Sequence, residues 1–154
     1  MIRQMANEHL ISVEQFKELA RPTSKHVDDD EVMSYVRECE DMYIEPAIGL
    51  DKLQELLASD ITGENKTLLE GGTYKSDSGK SLKCAGLQKA LAYFVYAKMS
   101  MADGSIITRS GVVQHNDSYA QRDDDKNRVR KYDDVMNVAE AYLSSSMSYL
   151  KTVS

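Results

Sequence analysis

The hydrophobic pattern of the chain is dominated by one stretch in its middle, Leu87–Ala102, which reads LQKALAYFVYAKMSMA. Twelve of its sixteen residues are apolar or aromatic. A helix that is apolar around nearly its whole circumference is either buried in a core or spans a membrane, and a span needs roughly 20 residues. The pattern therefore predicts a buried central helix of a soluble domain. Its predicted core positions are Leu87, Leu91, Phe94 and Val95.

The first helix signal follows an N-terminal stretch, residues 1–10, that shows no periodicity. This stretch is expected to be an arm, either free or ordered only by a partner. Ser12 stands three residues before Gln15, which is the spacing of a capping box, and Ile11 and Phe16 can pack across the cap. The pattern predicts a short first helix that begins after Ser12.

A second, strongly acidic helix is predicted to begin after Asp28, with Glu31 as the partner in another capping box. Pro46 is expected to end or kink this helix. Between residues 28 and 45 there are eight acids against one base, a local net charge of −7. The acids expected to lie mostly outside its apolar face include Glu38, Glu40 and Asp41.

The character of the chain changes after a short amphipathic helix predicted over residues 50–58. Residues 59–85 contain four glycines and few apolar side chains. Two short polar segments flank a glycine-containing turn, a pattern typical of a β-hairpin. We therefore predict a small hairpin over about residues 72–84, with a flexible loop as the alternative.

The C-terminal part of the chain returns to helical periodicity. Residues 105–113 (SIITRSGVV) allow a second short hairpin or an irregular connection. Helical spacing then continues to about residue 150, and the absence of Gly and Pro after Gly111 allows one long helix or two. The predicted fold class is mainly α, a helical bundle around the central helix with a small β-hairpin excursion, in a single domain over residues 1–154.

Composition and charge narrow the classes of function. A length of 154 residues is typical of a single domain and is enough to bury a hydrophobic core. The net charge of −6 argues against binding nucleic acid over a broad basic face, but it does not exclude a protein that lets nucleic acid pass without adhering. The two cysteines fit no metal spacing and are expected to be free thiols, with Cys39 buried and Cys84, beside Lys83, the more reactive.

No catalytic or metal-binding motif is complete. Residues 79–81 (GKS) resemble the end of a phosphate-binding loop, but Tyr74 stands where that loop needs glycine. The spacing of acids over residues 123–134 resembles a calcium loop, but Arg128 occupies its glycine position. The acids of residues 28–31 point to different sides of a helix and converge poorly on one ion. We expect no cofactor, no metal and no enzymatic activity.

The order of these signals resembles that in the head–tail connector (adaptor or neck-ring) proteins of tailed bacteriophages, particularly those of Bacteroidales and crAss-like phages. The resemblance spans nearly the whole chain and departs from the family pattern in the ten residues before Ile11. It is carried by ISVEQFKELARPTSKHVDDDEVMSYVRECEDMYIEPAIG, GGTYKSDSG, AGLQKALAYFVYAKMSMADG, RSGVVQHNDSY and KYDDVMNVAEAYL.

This resemblance implies a structural virion protein that is assembled in the bacterial cytoplasm and located in the neck. Such connectors form homo-oligomeric rings, commonly dodecameric, which bind the portal and other neck or tail proteins and continue the DNA channel. DNA passes through them without specific binding, and no membrane is involved. In such a ring the N-terminal arm and the hairpin are candidates for contacts between subunits. The hairpin residues proposed for this contact are Tyr74, Lys75, Asp77 and Lys80.

Charge placement suggests which helix lines the channel. In a ring the acidic helix of every copy recurs around the axis, and like charge would keep DNA from adhering. The candidate channel-facing residues are Glu38, Glu40 and Asp41, and the alternative is an ordinary solvated face. Two other functions stay open at this point: a small phage-encoded metal-dependent nuclease or other helical enzyme, and a cytosolic helical adaptor.

Overall fold

A computed structural model describes residues 8–21, 28–58, 61–102 and 118–153. The protein is mainly helical with a small two-stranded antiparallel hairpin, which confirms the predicted fold class. The helices are α1 (Val13–Leu19), α2 (Asp29–Cys39), a π-helix (Glu40–Ile44), α3 (Glu45–Ile48), α4 (Leu50–Leu56), α5 (Gly63–Glu70), α6 (Leu87–Ala102) and α7 (Ser118–Val153). The strands are β1 (Gly72–Lys75) and β2 (Ser81–Cys84).

Helix α6 is the centre of the packing and has the bounds that the sequence predicts. Helix α7 runs along it, and α1, α2 and α5 also contact it. The side chains of Leu87, Leu91, Phe94 and Val95 are fully buried. The Phe94 ring stacks on the Tyr43 ring of the π-helix, with centroids 4.2 Å apart and the planes nearly parallel. Burial on all sides explains why the sequence of this helix has no polar face.

The N-terminus of α1 is capped as predicted. The Gln15 amide donates to Ser12 Oγ, and the Ser12 amide donates to Gln15 Oε1 over 2.9 Å. The cap of α2 differs from the predicted box with Glu31, because the Asp28 carboxylate accepts from the amide of Asp30 instead. Both caps satisfy backbone amides that have no partner within their helix.

Helix α2 ends at Cys39 and the helical run continues past Pro46, so the predicted ending at Pro46 is wrong, while the alternative, a kink at Pro46, stays a prediction. It passes directly into the π-helix, in which the Glu45 amide donates to the Glu40 carbonyl, and then into α3. A proline inside an α-helix lacks a donor and clashes with the carbonyl four residues earlier. The wider turn of the π-helix lies directly before Pro46, and it interrupts the regular α-helix there. The helical run ends at Gly49, whose φ of 87° suits only glycine.

Helix α5 differs from the sequence prediction, which places residues 59–70 in a glycine-containing region of loop and hairpin. Its burial depends on two adjacent leucines, Leu68 and Leu69, in an otherwise polar sequence with glycine in the first turn. A single pair of apolar neighbours gives no helical periodicity, so the pattern did not indicate a helix.

The two strands form a hairpin rather than a flexible loop, in the register Tyr74↔Leu82 and Lys75↔Ser81. The turn is closed by the Ser76 amide, which donates to the Lys80 carbonyl over 2.8 Å.

The C-terminal segment forms one continuous helix, α7, of 36 residues. It includes the acids that resembled a calcium loop, so their backbone is helical and not that of a loop. The predicted second hairpin or connection at residues 105–113 lies outside the described residues, as do residues 1–7 of the predicted arm.

Candidate functional site

The hairpin presents the residues predicted to contact a neighbouring subunit. Lys75, Asp77 and Lys80 are exposed, and the Lys75 ammonium donates to the Ser81 hydroxyl over 2.8 Å. Tyr74 is half-buried and meets the ring of Tyr149 edge-on, with centroids 5.0 Å apart. The charged positions are therefore free to meet another molecule, while the tyrosine attaches β1 to α7.

At the base of the hairpin, the backbone before β1 and the backbone after β2 pass very close to each other. Gly71 precedes β1 and Gly86 follows β2, and their φ angles are 95° and 96°. A Cβ on Gly86 would lie 2.7 Å from the carbonyl carbon of Glu70, and one on Gly71 would lie 2.7 Å from the Ala85 oxygen. Only glycine allows the two chain segments to cross at this distance.

Two adjacent serines of α7, Ser145 and Ser146, bind the backbone that leaves the hairpin. Ser145 Oγ donates to the Lys83 carbonyl over 2.7 Å and accepts from the Ala85 amide over 3.0 Å. Ser146 Oγ, which is fully buried, accepts from the Gly86 amide over 3.1 Å. We call these two residues the serine pair. They fix the direction of the hairpin relative to α7.

Both cysteines are buried free thiols, which confirms the predicted burial of Cys39, and the faster reaction of Cys84 stays a prediction. The Cys84 thiol lies at the base of the hairpin, where it donates to the Thr67 carbonyl at 3.5 Å. Burial raises the pKa of the Cys39 thiol to about 12, and the negative charge of Glu38 adds to the shift.

The three acids predicted to face the channel do not share one environment. Glu38 and Asp41 are exposed, but Glu40 is only 5% exposed, so its predicted channel-facing position is wrong. Glu40 stands four residues after Val36 and four before Ile44, both fully buried. This spacing places Glu40 within the buried stripe of the helix, a signal that was present in the sequence.

The buried Glu40 carboxylate fastens an N-terminal segment, residues 8–12, which we call the strap. Its Oε1 accepts from the Leu10 amide over 2.7 Å, and its Oε2 pairs with Nδ1 of His9 over 2.9 Å. The Gln88 side-chain amide of α6 donates to the Leu10 carbonyl over 2.9 Å. The part of the predicted arm at residues 8–10 is therefore ordered by the chain itself.

A cleft of about 270 Å³ lies beside the strap, with Met33, Leu56 and Leu69 among the residues that line it.

Within the residues that the structure describes, no three His, Cys, Asp or Glu side chains are grouped so that they could hold a metal ion. Among the described helices, none is both long enough and apolar enough to cross a lipid bilayer.

Comparison with known proteins places the chain in a family. The model of DUF6712, a family of unknown function, matches residues 44–154, and the chain belongs to this family. The matched residues include the hairpin, α6 and α7, and begin after the strap and α2. No curated protein and no solved structure matches the chain. The resemblance to phage connectors therefore stays a prediction.

Proposed function

We propose that this protein is a structural subunit of the neck of a tailed-phage virion. Copies of the chain form a ring that joins the portal to the tail and continues the DNA channel. The protein acts through contacts with its own copies, with the portal and with other neck or tail proteins. DNA passes through the ring without specific binding, and the chain performs no catalysis.

The observation that carries this proposal is the construction of the hairpin. An isolated two-stranded hairpin is marginally stable in water, and the charged residues Lys75, Asp77 and Lys80 contribute no core. The hairpin is nevertheless held rigidly at its base by the serine pair and by the crossing of Gly71 and Gly86. A polar projection with a rigid base suits contact with another protein.

A ring also requires that each copy present two different surfaces to its neighbours. The hairpin tip, with Lys75 and Lys80, supplies a basic one. The exposed side of α2 and the π-helix supplies an acidic one, with Glu38 and Asp41. Whether that acidic side lines the channel or meets a protein depends on the orientation of the subunit in the ring.

The decisive experiment measures the mass of the purified protein by light scattering, alone and after mixing with the portal. We expect a ring or a portal-bound assembly. The double variant Lys75→Glu, Lys80→Glu should remain folded and lose assembly, whereas the exposed α7 control Lys126→Glu should retain it. A monomer with divalent-dependent turnover would instead identify an enzyme. A discrete complex with a non-virion partner would identify an adaptor.

For Glu38 and Asp41 the channel-facing role remains part of the proposal, now without Glu40. Replacing both with lysine should give rings that still assemble but bind DNA in a salt-sensitive way. The matched control replaces Glu14 and Glu18, two exposed acids of α1, and makes the same change in charge elsewhere. Equal DNA binding by the two variants at low salt would remove α2 and the π-helix from the channel wall.

A further inference from the structure

The cleft beside the strap combines apolar and polar side chains in one concave site. Leu56 and Leu69 are buried and Met33 is half-buried, and these three residues form its apolar part. Concave sites that join apolar side chains to a few fixed polar groups are the usual form of a small-ligand site. The volume of about 270 Å³ exceeds the roughly 150 Å³ of an apolar cavity that holds benzene. The cleft is therefore large enough for an aromatic ring.

His9 gives the cleft a hydrogen-bond acceptor. Its Nδ1 pairs with Glu40 Oε2 over 2.9 Å, and an ionised carboxylate only accepts hydrogen bonds, so Nδ1 carries the proton. The other ring nitrogen, Nε2, then has a free lone pair in the neutral imidazole. Among the described residues Nε2 has no hydrogen-bond partner, and no buried side-chain nitrogen lacks one, so Nε2 is accessible. Since His9 is 15% exposed and lines the cleft, a ligand in the cleft can reach Nε2.

Ser12 and Gln15 add hydrogen-bond donors to the same cleft. Ser12 Oγ accepts from the Gln15 amide over 3.2 Å, and Gln15 Oε1 accepts from the Ser12 amide over 2.9 Å. These bonds leave the hydroxyl proton of Ser12 and the side-chain amino group of Gln15 without a partner among the described residues. Both residues line the cleft, which therefore offers a ligand both an acceptor and donors.

We propose that this cleft binds a phenolic group, meaning an aromatic ring that carries a hydroxyl. The ring packs against the apolar part of the cleft, where the Met33 sulfur makes a favourable contact with an aromatic ring. The hydroxyl donates to Nε2 of His9 and accepts from Ser12 or Gln15, because a hydroxyl is both a donor and an acceptor. Glu40 is a positioning residue, since it fixes the proton on Nδ1 without touching the ligand. This site goes beyond the proposed role in the neck and does not depend on assembly into a ring.

The charges around the cleft disfavour ionic ligands. No Lys or Arg is among the described residues that line it, so a phosphate or carboxylate would find no counter-charge there. An ammonium ion can donate to Nε2 but cannot accept from Ser12 or Gln15. The Glu8 carboxylate also lines the cleft, but it is exposed, and an ammonium removed from water without a close partner is costly. A neutral hydroxyl is therefore the polar group that fits.

The test uses full-length protein with ¹³C-labelled methionine methyl groups, titrated at about pH 8, where an imidazole is ordinarily neutral. The NMR signal of Met33 is identified by its loss in Met33→Leu, and an aromatic ring in the cleft should shift it. Three probes of similar size are compared: p-cresol carries a hydroxyl, its methyl ether can only accept, and toluene can do neither. We expect p-cresol to bind about 2- to 12-fold more tightly than the other two, the factor given by one net hydrogen bond.

A fourth probe distinguishes the source of the phenolic group. N-acetyltyrosine amide carries the group as a tyrosine side chain of another protein would present it. If it shifts the Met33 signal as p-cresol does, the ligand is such a side chain. If p-cresol alone does so, the ligand is a free small phenol.

The variant Glu40→Gln tests the positioning role. A glutamine can still accept from the Leu10 amide while its amino group donates to Nδ1 of His9, which moves the ring proton to Nε2. The preference for p-cresol over its methyl ether should then disappear, a change that looser packing alone would not produce.

If Glu40→Gln does not fold, Met33→Phe gives a second test, because it fills the cleft. It should abolish the binding of p-cresol, followed through the NMR signals of the ligand. The matched control Met42→Phe, at an exposed position of the π-helix, should retain it.

Three results would overturn the proposal. Equal affinity for p-cresol, its methyl ether and toluene would remove the role of His9. Tighter binding of n-butylammonium than of p-cresol would identify a cation site instead. A Met33 signal that p-cresol does not shift would remove the site itself. None of these results bears on ring assembly, so each leaves the proposed function to its own test.

Discussion

The crossing of the chain at the base of the hairpin makes Gly86→Ala strongly destabilising. The added Cβ would meet the backbone of Glu70, Gly71 and Leu69 at 2.7, 2.7 and 2.9 Å. Backbone atoms at the end of a packed helix cannot move aside as a flexible side chain can. The Gly86 amide is also bound to buried Ser146, so a backbone shift would break that hydrogen bond.

The expected magnitude has two parts. A side chain at the left-handed φ of 96° costs about 1–2 kcal/mol. Forcing extra atoms into a packed site costs about 1–3 kcal/mol more. Gly86→Ala should therefore lower the free energy of unfolding by about 2–5 kcal/mol.

The matched control is Gly79→Ala in the hairpin turn. Its φ is 84°, but a Cβ there would have no atom within 4 Å. It should show only the backbone part, about 1–2 kcal/mol.

The assay is urea unfolding followed by far-ultraviolet circular dichroism. Thermal melts should agree, with a loss of about 2–4 °C per kcal/mol for a chain of this length. The difference between the two alanine variants measures the close approach alone. If Gly86→Ala and Gly79→Ala lose equal stability, the two segments do not cross as described.

Three further predictions concern the core and its buried groups. Phe94→Ala should cost about 3–5 kcal/mol in urea unfolding, because the ring is fully buried; an unchanged midpoint would remove α6 from the centre of the core. Glu40→Ala should cost about 1–3 kcal/mol because it leaves the strap amide without a partner, whereas exposed Glu38→Ala should stay within about 0.5 kcal/mol; equal losses would contradict the hydrogen bond between Glu40 and the strap. The pKa of Cys39 is raised from 9.0 to about 12, so the thiolate forms first in the unfolded chain. The free energy of unfolding should therefore fall by up to about 1.4 kcal/mol per pH unit as the pH rises from 9 towards 12. Cys39→Ala should remove this part of the dependence of stability on pH.

The features that the sequence predicted well are those with a local physical cause. Helix α6 followed from an apolar run that cannot face water, and the start of α1 followed from the capping box at Ser12. The hairpin followed from polar segments around a glycine-containing turn. In each case the residues that determine the structure are neighbours in the chain.

The features that were missed depend on contacts between distant residues. Glu40 looks like one more acid of an acidic helix until its position between Val36 and Ile44 is considered, and its partners in the strap lie about 30 residues away. The serine pair stands in a polar run of α7, and nothing in that run indicates a bond to the hairpin base. Such roles become visible only when the fold brings the segments together.

The attachment of the strap has a consequence for the order of events during synthesis. Leu10 emerges from the ribosome 78 residues before Gln88, whose side chain donates to the Leu10 carbonyl. At about 5–20 residues per second, this interval lasts about 4–16 s. During that time Leu10 and Ile11 have no completed site in their own chain. A chain that ends before Gln88 would therefore lack one of the two side chains that hold the backbone of Leu10.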